Sequence, residues 1–115
     1  MADDGFKVVS VGSGSKLLWL RHAVLQSAGF DVFSTQVESE ALARIRRGDC
    51  TVVLLGHSLS SSVRKNLAQA TRQSCPWARI IEITNRKTEK PEFADTFVYG
   101  LDGPEVLIEA LRAPG

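Results

Sequence analysis

Short apolar runs alternate with amphipathic stretches along the whole chain. Residues 6–11, FKVVSV, are rich in β-branched side chains and stop at the glycines and serines of GSGS, which predicts a first strand. Over residues 16–28, Leu17, Leu20, Val24 and Ala28 recur at helical spacing. They predict a helix with that stripe inward and Gly29 closing it. FDVFS (30–34) alternates like a half-buried strand. ESEALARIRRG (38–48) sets Ala41, Leu42 and Ile45 on one helical face, with Arg46 and Arg47 in the last turn and Gly48 as the stop.

TVVLLG (51–56) is unbroken and apolar, the pattern of a strand buried on both faces of a parallel sheet. After HSLSSS, whose serines suit a helix cap, Val63, Leu67 and Ala70 mark a third helix ending near Ser74. RIIEIT (79–84) and TFVY (96–99) predict two more strands. Asp102 and Glu105, around Pro104, start a last helix with Val106, Leu107, Ala110 and Leu111 inward.

Five such strands, alternating with helices, imply a doubly wound five-stranded parallel sheet with right-handed crossovers and helices on both faces. In that architecture the functional crevice lies beyond the carboxyl ends of the strands. The segments that matter are therefore Gly12 to Ser15, Gly56 to Ser62, Thr84 to Arg86 and Gly100 to Asp102.

Composition narrows the classes. The 115 residues suit one domain, 1–115, with a core over about 6–112. Hydrophobic residues make up 43% and charged residues 23%, and the net charge of +1 supplies no bulk field for nucleic acid or an anionic membrane. No apolar run approaches the roughly 18 residues of a membrane span. MADDGFK lacks the basic and apolar regions of a secretory signal, so a cytoplasmic location is expected. Cys50 and Cys75 form no CxxC pair and only two histidines accompany them, so no metal site and no cofactor are expected. The two should lie as reduced thiols at the amino ends of strands three and four, with Trp77 near that rim and Trp19 outside the inward face of the first helix.

Gly56-His57-Ser58-Leu59-Ser60 nearly spells a nucleophile elbow, in which a serine sits on a strained strand-to-helix turn. A serine hydrolase also needs a base and a group to orient it. No histidine follows His57, which is Ser58's own neighbour, and Ser60 stands where the second motif glycine belongs. Ser58 is not a nucleophile on this reading, and no enzymatic activity is expected.

In order and spacing, KVVSVGSG, LQSAGFDVFSTQVESEALARI, VVLLG, IIEIT and FVYGLDGPEVLIEAL together resemble the receiver domain of bacterial two-component response regulators. The resemblance implies the flavodoxin-like, chemotaxis-protein type of fold with strand order 2-1-3-4-5. Receiver domains bind Mg²⁺ through an acidic pair and a phosphorylated aspartate, because a hard cation needs carboxylate oxygens, and a lysine pairs with the phosphate. Here the acidic pair aligns with Gly12 and Ser13, the acceptor with Gly56 and the lysine with Gly100; only the switch hydroxyl, Thr84, is kept. The resemblance thus implies a pseudo-receiver, a regulatory protein-interaction module outside the phosphorelay.

Between Thr84 and Phe97 only NRKTEKPEFADT intervenes, which is too little for a full crossover helix, and Pro91 shortens any helix further. The expected fourth helix is therefore short or absent, leaving the sheet beside strands four and five thinly covered. The partner surface expected there, for a protein partner or a second copy, comprises Glu82, Arg86, Lys87, Lys90, Phe93 and Tyr99 together with the last helix. A different reading makes the same end of the sheet a small anion- or nucleotide-binding site. Gly12, Ser13, Gly14 and Ser15 precede a helix N-terminus, with Ser58 nearby. Against that reading, the same serines can simply cap the helix.

Overall fold

The computed structural model describes residues 7–12, 14–56, 59–84, 94–99 and 104–112. Five strands, β1 (Lys7–Val11), β2 (Asp31–Thr35), β3 (Val52–Leu55), β4 (Arg79–Thr84) and β5 (Thr96–Tyr99), form one sheet in the order β2-β1-β3-β4-β5. Every neighbouring pair is parallel. Four helices complete the described elements: α1 (Ser15–Ser27), α2 (Glu38–Arg46), α3 (Ser61–Ser74) and α4 (Pro104–Arg112). The crossover in which a shortened helix was expected, 85–93, lies outside the described residues.

Strand alternation divides the core in two. Val9, Val11, Val53, Leu55 and Ile80 pack on Ala41 and Ile45 of α2 and on Leu67, Ala68 and Ala70 of α3. Val8, Val52, Leu54, Ile81, Ile83 and Val98 face the other way, onto Leu25 of α1 and Leu107 and Leu111 of α4. The unbroken apolar run of β3 is buried at all four positions, as a central parallel strand requires. Gly29 and Gly48 end α1 and α2 with φ of 98° and 81°, a conformation that side chains with a Cβ resist. Ser60 caps α3, its Oγ accepting from Val63 N at 3.2 Å.

Three expectations fail. The first concerns the buried face of α1, which is Leu18 and Leu25, both 0% exposed, whereas Leu17 and Leu20 are 50% and 58% exposed. Both stripes have helical spacing in this leucine-rich helix, so periodicity alone does not choose between them. The second concerns Glu82, which was placed on a solvent-facing partner surface and is instead 2% exposed. Its neighbours in β4 from Ile80 to Thr84 are buried on both faces, so this strand is not thinly covered. In the third, Val106 lies at the rim of α4, 37% exposed, while Leu107 and Leu111 carry its buried face.

Candidate functional site

The carboxyl edge of the sheet is assembled by register. Val11 and Leu55 are paired at the ends of β1 and β3, so Gly12 and Gly56 leave the sheet side by side. Gly56 N donates to Val11 O at 2.8 Å, and Gly12 N donates to Thr35 O at 3.3 Å. The two glycines touch closely: a Cβ added at Gly56 would stand 3.1 Å from Val11 O and 3.3 Å from Gly12 Cα. Thr84 ends β4 at the same edge and is 3% exposed. Ser13, Ser58 and Gly100 lie outside the described residues, as do Arg86, Lys87, Lys90 and Phe93; Tyr99 ends β5.

The residue that pattern reading missed is Arg21. With Leu18 and Leu25 inward, Arg21 belongs to the sheet-facing side of α1. Helical side chains lean toward the helix N-terminus, and this one reaches back to the loop that precedes its own helix. Its Nη1 lies 3.5 Å from where a Cβ would stand on Gly56 and 3.8 Å from the corresponding point on Gly12. A guanidinium therefore lies against two of the positions at which the receiver resemblance calls for carboxylates. Burial holds its pKa below the ordinary arginine range. Among the described residues, no hydrogen-bond or ion-pair partner faces it. Periodicity gave no signal for Arg21, which lies between the two candidate stripes, four residues from Leu17 and three from Leu18.

The N-terminus of α1 adds to the positive potential. Its N-cap is Gly14, which has no side chain to cap with, and the first turn carries no acidic residue. No group of three or more His, Cys, Asp or Glu side chains suited to a metal occurs among the described residues. Chemically, this edge offers a fixed cation and no carboxylate at the described positions.

Behind the edge, Glu82 accepts from Arg64 Nη1 at 2.8 Å, tying β4 to the first turns of α3. That contact pins the helix following the Gly56 turn to the strand that carries Thr84. At the opposite edge, Cys50 and Cys75 are free and fully buried, their Sγ atoms 3.1 Å apart. Trp77 Nε1 donates to Cys50 O at 3.0 Å across that rim. Trp19 is exposed on α1 and meets the His22 ring edge-on, and His22 Nδ1 lies 2.8 Å from Ser34 Oγ.

No protein-family model matches the chain, and no curated protein matches it. Solved structures do. The chemotaxis response regulator CheY4 of Vibrio cholerae is 19% identical, with a TM-score of 0.80 over 93% of this chain and 96% of that one. A CheY-like receiver domain protein from Methanospirillum hungatei, also 19% identical, reaches 0.77 over 93% and 90% of the two chains. A complex of the histidine kinase ThkA with the response regulator TrrA gives 20% identity and a TM-score of 0.71 over 94% and 99%. At such identities the likeness is one of architecture, and it agrees with the strand order, the parallel register and the two helical layers. This chain has the fold of a response-regulator receiver domain.

Proposed function

We propose that this protein is a pseudo-receiver: a non-enzymatic regulatory module that works by protein contact in a bacterial cytoplasm and takes no phosphoryl group. The observation that carries this reading is the pair Gly12 and Gly56 with Arg21 against them. An acyl phosphate needs a carboxylate acceptor, and glycine has none. Mg²⁺ needs anionic oxygens, and a guanidinium beside the same backbone repels it. Thr84 keeps its switch position without an aspartyl phosphate at position 56 to engage.

Support for a protein partner is of a different kind. The TrrA structure is that of a response regulator with a histidine kinase, and the same fold makes a protein partner, or a second copy of this chain, a natural ligand here. The proposed contact face is the side of β4, β5 and α4, where Val106 is 37% exposed. Glu82 is withdrawn from that face by its burial. Incubation with acetyl phosphate and Mg²⁺, followed by intact-mass measurement, tests the central point. No phosphorylated species is expected, and a stable adduct of one phosphoryl group would overturn the reading. The anion-binding alternative is favoured by one specific feature, the Arg21 guanidinium, which has no hydrogen-bond or ion-pair partner among the described residues.

A further inference from the structure

The three residues at the carboxyl edge are neighbours. A Cβ at Gly12 or Gly56 would stand in ordinary van der Waals contact with Arg21 Nη1, at 3.8 Å and 3.5 Å, so the guanidinium faces the space that a side chain at either position would enter. The two glycines and the guanidinium therefore line one pocket. In it, a half-buried positive charge has lost water without gaining a protein counter-ion among the described residues. An anion that pairs with it would offset that partial desolvation.

We propose that Arg21 turns this pocket into an oxyanion site, which takes a phosphate-type dianion where the receiver resemblance implies a divalent cation. The guanidinium presents a planar fork of donors that matches two oxygens of a tetrahedral anion. The amides of Gly12 and Gly56 are already donated to Thr35 O and Val11 O, so recognition falls to Arg21 and not to the strand-end backbone. Lys16, exposed in the first turn of α1, adds long-range attraction. Burial, which lowers the Arg21 pKa, points the same way: the charge is short of solvent. This inference does not depend on the protein-contact reading, and either can fail alone.

The test is a titration of the whole chain with inorganic phosphate at constant ionic strength, held by chloride, following the Arg21 Nε resonance and the Gly12 and Gly56 amides. Saturable shifts of all three are expected. Arg21→Gln should weaken binding by about tenfold or more, the scale of one charge-assisted contact, while its amide spectrum stays that of the folded chain. Arg21→Lys, which keeps the charge and loses the fork, should fall between. A second arm with adenosine monophosphate separates sources: equal affinity assigns recognition to the phosphate group alone, tighter binding to a nucleotide. An unmoved Arg21 Nε in the unsubstituted protein would overturn the proposal without reference to any variant. So would shifts that grow linearly without saturation, or that persist in Arg21→Gln.

Discussion

Arg64 and Glu82 form an ion pair inside the molecule: Nη1 lies 2.8 Å from Oε1, with the two side chains 13% and 2% exposed. The pair joins α3 to β4 directly behind the carboxyl edge of the sheet. Burying two charges brings little net stability, but stranding one of them is expensive. Glu82→Ala is therefore expected to destabilise the fold by about 3–5 kcal/mol. The double substitution Arg64→Met with Glu82→Leu should recover most of that loss. Urea unfolding of the three variants measures both effects, and a small cost for Glu82→Ala would place Glu82 nearer solvent than 2%.

Gly56, which the receiver resemblance aligns with the acceptor position, leaves little room for a side chain. A Cβ there meets Val11 O at 3.1 Å, tighter than ordinary van der Waals contact, so the ends of β1 and β3 must part slightly to admit one. Gly56→Ala should cost about 1–3 kcal/mol, in the range of overpacking. Gly56→Asp should not restore phosphorylation, because a single carboxylate beside the Arg21 guanidinium does not hold a divalent cation. Acetyl phosphate treatment with intact-mass readout checks it.

The cysteines should be silent in the native state. Burial first, and then the neighbouring Cys75 thiol, push the Cys50 thiol up to about 12. Ellman's reagent at pH 8 is expected to find no reactive thiol in the folded protein and two after denaturation. Stability should also fall at alkaline pH. An unfolded Cys50 gives up its proton near ~8.5 while the folded one holds it, so its contribution is complete below that pH and is lost as pH rises toward 12. Urea midpoints between neutral and alkaline pH measure the trend.

On the acid side two aspartates matter. A hydrogen bond from Arg44, helped by Lys7, holds Asp49 below the usual carboxylate range. Burial raises Asp95, but a hydrogen bond from Arg72, the Ile80 amide and the charges of Arg72 and Arg79 outweigh it and leave Asp95 lowered. Folding makes both stronger acids, so their stabilisation is present above about pH 4 and fades as pH falls through their folded values. Asp95→Asn should flatten the acid limb of a stability-against-pH curve relative to the unsubstituted protein.

The sheet was legible in the sequence because strand signals are local. The apolar runs at 52–55 and 79–84, the glycine stops after α1 and α2, and the serine before α3 each state a backbone preference within a few residues. Which face a helix buries is not local when apolar residues surround it. In α1, Leu17 and Leu20 compete with Leu18 and Leu25, and packing against the sheet decides. Leu18→Ala should cost about 2–5 kcal/mol and Leu20→Ala less than about 0.5. A glutamate in an apolar strand was similarly open: its partner, Arg64, lies 18 residues away, and only the fold brings them together. The receiver-like order of strands was legible as well, because alignment with a known pattern needs order and spacing rather than side-chain direction.

The most direct test of the central claim is an amide NMR titration with Mg²⁺ followed by beryllofluoride, which mimics an aspartyl phosphate. The account predicts that Gly12, Gly56 and Thr84 stay unmoved on adding Mg²⁺, and that any response to the fluoroberyllate anion is independent of Mg²⁺ and lost in Arg21→Gln. Saturable shifts of these amides on adding Mg²⁺, or a beryllofluoride response that requires Mg²⁺ and persists in Arg21→Gln, would mean that an acidic phosphorylation site exists here after all, and would contradict the pseudo-receiver reading.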